Sequence, residues 1–323
     1  MREPMRRAAC DAAVELFLDD ESLAIVLAEI STDLFESAFA HAPERAVNVG
    51  IMEQAMVGVA AGLALEGFRP IVHTIAPFLA ERAHEQVKLD FGYQRLEGLF
   101  ISTGASYDYS TSGMTHHSPG DVAAMSTVPG MCVLVPGAVA EATSLVRDWH
   151  SRGGLTYLRT SGVENAQAHE LADGGLTPIR HGRDATVIAV GPMLDRVLGA
   201  VEDHDVTVLY ATTVFPFDRD ALRAHAAPSA DIVLVEPMYE GTTTAQVTGA
   251  FADRAVRLLS IGVPRAVING YGTVAEIDEA LRLDASALEE RIGSFLEARR
   301  ASHTSHRRAS AGPAETPVKS LGP

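Results

Sequence analysis

Short, almost continuously apolar segments alternate with longer segments of mixed polarity along the first half of the chain. The apolar segments are rich in Val, Ile and Leu and are bounded by polar, Gly or Pro positions, as is typical of buried strands. They predict strands over residues 23–28, 46–49, 71–74, 99–103, 131–135 and 155–159. The segments between them predict a helix that begins near Pro4 and further helices over residues 53–65, 78–89, 122–127 and 138–150.

A second alternation of the same kind follows a polar stretch. Residues 164–183 are rich in Gly, Ala, Asp and His, and they predict a linker between a domain at 1–163 and a smaller domain at 184–298. Residues 299–323 have little to bury and are predicted to form a disordered tail. In the smaller domain the pattern predicts strands over 185–190, 206–210, 232–235 and 256–260, and helices over 194–202, 219–225 and 242–252.

This alternation predicts an α/β fold with two doubly wound domains, each built on a mostly parallel sheet that helices cover on both faces. In such sheets the loops at the carboxyl ends of the strands carry the chemistry. Three loops that follow predicted strands are rich in chemically active or aromatic residues, namely 50–53, 74–78 and 103–120. We therefore expect the functional site at this edge of the first sheet.

Composition excludes several classes of function. The formal net charge of −16 argues against nucleic acid and against anionic membrane as partners. The longest nearly uninterrupted apolar run, residues 55–65, is about half as long as a membrane span, and the charged N-terminal stretch does not have a signal-peptide pattern. The two cysteines lie far apart without metal-ligand spacing, so we expect a cytoplasmic protein with reduced thiols and no metal ligands of its own.

Glu53 is the most informative single residue. It lies at the predicted start of a helix whose following residues are small and apolar, so its side chain is expected at the edge of a packed interface. A buried carboxyl group is a candidate acid or base. A first-turn glutamate favoured by the helix dipole is the alternative interpretation, and position alone favours this alternative.

Longer motifs resemble the thiamine diphosphate enzymes of the transketolase group, which includes transketolase, deoxyxylulose-phosphate synthase and the β subunits of 2-oxoacid dehydrogenases. Residues 50–65 and 67–72 resemble the pyrimidine-binding domain of this group, and segments within 235–284 resemble the transketolase C-terminal domain. The resemblance extends from residue 1 to about residue 298. It implies that the two predicted α/β domains are a pyrimidine-binding domain and a smaller transketolase C-terminal domain.

The resemblance implies a set of cofactor-binding residues. Glu53 would contact the aminopyrimidine of thiamine diphosphate and favour its imino tautomer, with Ile51 beside it, and Phe78 would stack on the ring. The segment after Phe78 is one residue longer than in the synthase, so Leu79 is a second candidate for stacking. Asp33 lies in a segment similar to one near the cofactor in transketolase, although a helix cap would explain it as well.

A second set of residues would bind the substrate. Residues 113–117 resemble a Gly-x-Thr-His-Gln motif, which implies that His116 hydrogen-bonds substrate oxygens, with His117 in the place of Gln. Ser112 stands where sugar-using relatives have Asp. Arg159 matches an arginine that holds a sugar phosphate, a solvated strand-end arginine being the alternative, and His73 is a further candidate to face the substrate.

The Gly-Asp-Gly motif that holds the cofactor's pyrophosphate and Mg²⁺ in this group does not occur in the sequence. We therefore expect an N-terminal, pyrophosphate-binding transketolase subunit as partner, which supplies the Mg²⁺ ligands within an α2β2 heterotetramer. Small residues at Gly58, Ala60, Ala61 and Gly62 would allow close helix contact across that interface.

The expected function is that of the C-terminal, β-type subunit of a two-component transketolase-like enzyme that transfers a two-carbon ketol unit between ketose and aldose substrates. The Ser112 departure, together with Gly104 where transketolase has a His, favours an unusual donor. A decarboxylating relative that uses 2-oxoacids, either an acyloin-type synthase or an oxoacid dehydrogenase E1 β subunit, is one alternative. A non-catalytic partner subunit is the other.

Overall fold

The computed structural model describes the backbone of residues 4–310 and the side chains of residues 4–298. Its strands are β1 (Leu23–Leu27), β2 (Ala46–Asn48), β3 (Arg69–Ile75), β4 (Gly98–Thr103), β5 (Cys132–Leu134), β6 (Leu155–Arg159), β7 (Leu176–Arg180), β8 (Thr186–Val190), β9 (Thr207–Ala211), β10 (Thr213–Phe215), β11 (Asp231–Tyr239) and β12 (Arg257–Val263). Its α-helices are α1 (Pro4–Asp19), α2 (Glu36–His41), α3 (Glu53–Leu65), α4 (His84–Gln86), α5 (Asp121–Met125), α6 (Val139–Arg152), α7 (Leu194–Ala200), α8 (Arg219–His225), α9 (Thr244–Gly249), α10 (Val274–Leu281) and α11 (Ala285–Ser310).

Two sheets organise these elements, as the alternation of strands and helices predicted. The first sheet has the order β10-β5-β6-β4-β3-β1-β2, and all its pairings are parallel except that of β10 with β5. The second has the order β12-β11-β8-β9-β7, with only β7 antiparallel. Strands β1 and β4 are buried at every position, because helices cover both faces of a parallel sheet.

The two domains share strands and core. Strand β10 follows a strand of the second sheet but pairs with β5 at the edge of the first. One cluster of buried apolar side chains extends from Met56 and Phe100 in the first domain to Leu209 and Met238 in the second. At the same junction Glu141, in the first turn of α6, accepts a hydrogen bond of 2.6 Å from the Tyr210 hydroxyl. The domains are therefore packed as one unit.

Two predicted boundaries differ from the structure. The predicted linker 164–183 contains strand β7, which pairs antiparallel with β9 as the edge of the second sheet. Its mixed polarity reflects one exposed edge rather than a flexible connection. Helix α11 continues to Ser310, past the predicted start of the tail at residue 299, and Ala and Arg in this stretch are good helix formers. The rest of the predicted tail, residues 311–323, lies outside the described residues.

One helical segment after β3 has an unusual backbone. Residues 78–89, predicted as one helix, consist of a π-helical turn at Phe78–Arg82, the short helix α4 and a second π-helical stretch at Val87–Tyr93. A π-helical turn accommodates an extra residue in a helix and is frequent at functional sites.

Candidate active site

Glu53 is buried at the first position of α3, with only 1% of its surface exposed. Its Oε2 atom accepts a hydrogen bond from Nη1 of Arg82 at 2.7 Å. Its Oε1 atom is buried and has no hydrogen-bond partner among the described residues. This placement supports the interpretation of Glu53 as a buried functional carboxyl group, because a dipole-favoured surface glutamate would be solvated.

Phe78 and Arg82 occupy the two ends of the π-helical turn next to Glu53. The Arg82 guanidinium lies over the Phe78 ring, with Cζ 4.0 Å from the ring centroid. Phe78 keeps part of its surface exposed, whereas Leu79 is completely buried in the core. Phe78 is therefore the side chain that is available for stacking on a ligand, and Leu79 is not.

His116 lies beside Phe78, with ring centroids 5.3 Å apart and the rings nearly perpendicular. It ends a short 3-10 turn, Gly113–Thr115, and its Nδ1 atom lies 2.9 Å from the Thr115 hydroxyl oxygen. Ser112 begins the same turn and is exposed to solvent. Phe78, His116 and Ser112 thus lie close together at the carboxyl edge of the sheet.

The loop that carries His116 depends on two glycines with positive φ. Gly104 (φ +78°) lies beneath the Tyr109 ring, and Gly113 (φ +70°) lies beneath Tyr271 of the second domain. A Cβ atom at either position would meet these rings at less than van der Waals distance. Side chains of both domains therefore pack against this loop. The Tyr109 ring occupies the space that a side chain at Gly104, where transketolase has a His, would need.

His117 is buried, and neither of its ring nitrogens has a hydrogen-bond partner in the part of the chain that the structure describes. Burial lowers the pKa of His117, and the nearby backbone of Tyr109 offsets this in part. A buried, neutral imidazole with unused nitrogens is suited to hydrogen bonding with a ligand. Its proposed role in substrate binding is compatible with this position.

His73 does not face the site, contrary to the prediction from sequence. It is fully buried in β3, where Nδ1 lies 3.0 Å from the Ile101 carbonyl oxygen and Nε2 lies 3.0 Å from the Ser31 hydroxyl oxygen. Burial lowers the pKa of His73 to about 4, so the imidazole is neutral. One nitrogen is engaged with β4 and the other with the turn that follows β1, so both contacts of the ring serve the fold.

Arg159 is also enclosed, contrary to the prediction that it binds a substrate phosphate. Its Nε atom donates to Oδ2 of Asp121 at 2.7 Å, and its Nη2 atom donates to the Ser106 hydroxyl at 2.7 Å. Only 1% of Arg159 is exposed, and Asp121 holds the Arg159 pKa above its usual value although burial acts against the charge. Ser106 in turn donates to the Pro237 carbonyl, so this network joins the two domains.

Two predicted cofactor residues lie on the surface. Ile51, two positions before Glu53, is 70% exposed. Asp33 is exposed in the 3-10 turn Thr32–Phe35 and borders a shallow depression with Asn48. The turn has no side-chain cap, so the alternative explanation of Asp33 as a helix cap is not supported. Neither residue contacts Glu53 through a hydrogen bond that the structure shows.

Arg82 is the site residue that the sequence did not reveal. A buried carboxylate calls for a partner cation, and this principle could have directed attention to the arginine four residues after Phe78. The pair Glu53–Arg82, with Phe78 and His116, forms a site that has one carboxylate, one guanidinium, one imidazole and one aromatic face. Within residues 4–298 no group of three or more His, Cys, Asp or Glu side chains is arranged to hold a metal ion.

Comparison with known proteins identifies domain families for both halves of the chain. The family model described as transketolase, pyrimidine binding domain, matches residues 4–162. The family model described as transketolase, C-terminal domain, matches residues 174–287. No helix in the described part of the chain is long and apolar enough to cross a membrane.

Relatives with these domains include whole chains of similar length. An uncharacterized 33.6 kDa protein in the fasciation locus of Rhodococcoides fascians is 43% identical over 86% of this chain and 90% of its own length. A 6-deoxy-6-sulfo-D-fructose transketolase subunit of Clostridium sp. (strain MSTE9) is 31% identical over 69% of this chain and 70% of its own length. The 1-deoxy-D-xylulose-5-phosphate synthase of Bordetella parapertussis is 33% identical over 80% of this chain, but the match spans only 42% of the synthase.

The fold matches solved structures over almost the whole chain. A split-gene transketolase, described as an inactive β4 tetramer, superposes with a TM-score of 0.77 at 27% sequence identity. The match covers 91% of this chain and 98% of that chain.

Proposed function

This chain belongs to the transketolase family, and from that premise we propose that it is the β-type subunit of a two-component, thiamine diphosphate-dependent enzyme that transfers a two-carbon ketol unit. The observation that carries the proposal is the unpaired, buried Oε1 atom of Glu53, whose other oxygen is bound by the arginine that lies over the Phe78 ring. A buried polar atom without a partner is costly unless a ligand completes it.

The residues of the site fit the aminopyrimidine half of the cofactor. Glu53 would share a proton with a ring nitrogen through Oε1, and the Phe78 face would hold the ring by stacking. When bound, thiamine diphosphate supplies the carbanion chemistry and acts as the electron sink. The part of Glu53 is to hold or release one proton at the aminopyrimidine ring, in a position from which bulk water is excluded.

His116 and His117 would act on the substrate side. His116 is partly exposed beside Phe78, so its imidazole can donate to substrate oxygens or accept from substrate hydroxyl groups. Burial lowers the pKa of His117, and its ring would be available to hydrogen-bond a ligand. Ser112, exposed at the start of the same turn, would add a hydroxyl contact to the substrate.

The other half of the cofactor site would come from an N-terminal, pyrophosphate-binding subunit, which supplies the Mg²⁺ ligands in an α2β2 assembly. Two comparisons support a partner: the chain spans about two fifths of the synthase, and relatives of similar length include a transketolase subunit. Exposed apolar side chains surround the outer face of α3 and offer an interface; they are Ile51, Met52, Val59, Leu65, Leu89 and Tyr93. We also propose a cytoplasmic location, which the two free cysteines support.

The outer face of α3 offers a direct test of this assembly. Gly58 and Gly62 are exposed there, whereas Ala60 and Ala61 are buried in the chain's own core, so only the glycines are available for close helix contact. A Cβ atom at Gly62 meets nothing within 4 Å in this chain. Gly62→Leu should therefore leave the single chain folded and block assembly, as measured by analytical ultracentrifugation. Gly199→Leu, at an equally open position of α7, is the matched control.

A decarboxylating reaction of a 2-oxoacid is the second candidate. The enclosure of Arg159 favours it, because the guanidinium expected to hold a sugar phosphate is bound to Asp121. The two activities separate in one assay of the reconstituted complex. Ketol transfer from ketoses without release of CO₂ would support the first function, and release of CO₂ from 2-oxoacids would support the second.

Reconstitution with a pyrophosphate-binding subunit tests the proposal as a whole. We expect thiamine diphosphate with Mg²⁺ to bind tightly and turn over only when both subunits are present. Tight cofactor binding and full turnover by this chain alone would contradict the two-component assignment. A complex that assembles but has no thiamine chemistry would indicate a non-catalytic subunit instead.

A further inference from the structure

We propose that Arg82 is the positioning residue of Glu53: it holds one carboxylate oxygen so that the other faces the cofactor ring. This inference rests on the proposed function. It concerns a residue that the sequence did not reveal, and it follows from the contacts of the buried glutamates in this chain.

Three glutamates of the structure are almost completely buried, and two of them are satisfied at both oxygens. Glu141 accepts from the Gly137 amide and the Tyr210 hydroxyl at Oε2, and from the His169 amide at Oε1. Glu236 accepts from the backbone amide and hydroxyl of Thr243 at one oxygen, and at the other from a glycine amide. Each of these carboxylates has a structural role that the chain itself completes.

Glu53 departs from this pattern at one oxygen only. Oε2 is bound by Arg82 at 2.7 Å, and Oε1 is buried without a partner. A carboxylate that served the fold alone would have both oxygens satisfied, as in Glu141, because an unsatisfied buried oxygen destabilises the folded state. Glu53 therefore has one oxygen available to hydrogen-bond a ligand, and Arg82 determines which oxygen this is.

The π-helical turn explains how Arg82 reaches this position. The turn Phe78–Arg82 places the guanidinium against the Phe78 ring at 4.0 Å, and the stacked guanidinium then points an N–H group at Glu53. The side chain of Arg82 is 41% exposed, so only its inner N–H groups are committed to the site. Since the same guanidinium contacts both Glu53 and Phe78, it fixes the carboxylate and the stacking ring relative to each other.

The charge of Arg82 has a second consequence for Glu53. A carboxyl group buried to this degree needs a charged or hydrogen-bonding partner. Arg82 supplies that partner within hydrogen-bond distance of Oε2. Oε1 is therefore left available to the cofactor ring in a position that is shielded from water. Lysine would supply the charge without the planar stacking on Phe78, whereas methionine would supply neither.

The experiment compares Arg82→Met and Arg82→Lys with the wild-type chain in the reconstituted complex with thiamine diphosphate and Mg²⁺. The near-ultraviolet circular dichroism of the bound cofactor reports the state of its ring, and titration gives the cofactor Kd. We expect Arg82→Met to lose the dichroic signal of the activated ring and to slow C2 proton exchange roughly 100-fold. The Kd should change only a few-fold, because the partner still holds the pyrophosphate. Arg82→Lys should restore part of the signal.

Arg257→Met is the matched control. Arg257 makes the same two kinds of contact far along the chain: its Cζ lies 3.9 Å from the Phe295 ring centroid, and it pairs with the buried Asp231 at 2.8 Å. Its loss should lower thermal stability as much as the loss of Arg82, yet leave the dichroic signal unchanged. Thermal melting of each chain without cofactor verifies that the variants are folded.

The outcomes are separable. If the wild-type complex does not bind thiamine diphosphate, the proposed function fails. If the wild-type complex binds it and Arg82→Met keeps the wild-type dichroic signal and exchange rate, the role of Arg82 is refuted while the function stands. A signal that is lost equally in Arg257→Met would also refute it, since general loosening of the fold would then explain the effect.

Discussion

Replacing Arg159 by methionine is predicted to destabilise the first domain strongly, because the substitution leaves the Asp121 carboxylate buried without its cation. Asp121 is completely buried and Arg159 nearly so. The pair is joined at 2.7 Å, and the Tyr157 hydroxyl donates to the same carboxylate at 2.9 Å. Methionine keeps much of the arginine volume, so the loss of the ion pair, rather than a cavity, dominates the effect.

The expected magnitude follows from the burial of the pair. Removing one partner of a buried ion pair costs about 3–5 kcal/mol, and the remaining Tyr157 contact places this case toward the lower value. The double variant Asp121→Asn/Arg159→Met should recover most of the loss, because no buried charge remains. Arg152→Met removes a solvent-exposed pair with Asp173 and should cost less than about 1 kcal/mol.

Urea unfolding followed by the fluorescence of Trp149 measures these differences. Trp149 is the only tryptophan of the chain and is buried in α6, so it reports on the first domain. A loss below about 1 kcal/mol for Arg159→Met would refute the enclosed ion pair. If Arg159→Met raised the KM for a phosphorylated substrate and left stability unchanged, Arg159 would have to contact the substrate.

Two further predictions distinguish residues that bind a ligand from residues that stabilise the fold. Phe78→Ala should weaken thiamine diphosphate binding in the reconstituted complex about 5- to 10-fold and leave the melting temperature nearly unchanged. Leu79→Ala should instead destabilise the chain by about 2–5 kcal/mol and leave cofactor binding unchanged. The reverse pattern of effects would show that Leu79 takes the stacking position. The pKa of His73 is about 4 in the folded chain, against an ordinary value of 6.5 for the unfolded chain. Between pH 4 and pH 6.5 the unfolded state therefore binds more protons than the folded state. The free energy of unfolding should fall by about 2 kcal/mol from pH 7 to pH 5. His73→Gln should remove this part of the pH dependence in urea unfolding, and an unchanged slope would contradict a neutral, buried imidazole.

Much of the fold was predictable because parallel sheets produce unambiguous sequence patterns. The strands β1, β3, β4 and β6 are rich in apolar residues, and their ends differ from the predicted ones by no more than two residues. Strand β7 was missed because it lies at a sheet edge, where one side faces solvent and the apolar signal is weak. Strand β10 is too short to predict, and its pairing with the other domain's sheet depends on tertiary contacts.

The positions of three candidate site residues were predictable from motifs. Glu53 and Phe78 both contact Arg82, and His116 lies beside Phe78, while their roles toward a ligand stay predictions. Arg159 and His73 were misassigned because the sequence does not show what a polar side chain meets in the core: Asp121 for Arg159, and Ser31 for His73.

Arg82 was missed for the converse reason. The predicted helix placed it on a regular α-helical surface, and only the π-helical turn brings it to Glu53.

The central claim is that Glu53 activates the cofactor within a two-subunit site. The most direct measurement is the rate of hydrogen exchange at C2 of thiamine diphosphate, compared between complexes reconstituted with the wild-type chain and with Glu53→Gln. We predict that the wild-type complex exchanges far faster than free cofactor and that Glu53→Gln lowers the rate by roughly 10²- to 10⁴-fold. A Glu53→Gln complex that binds the cofactor and exchanges at a near wild-type rate would contradict the account.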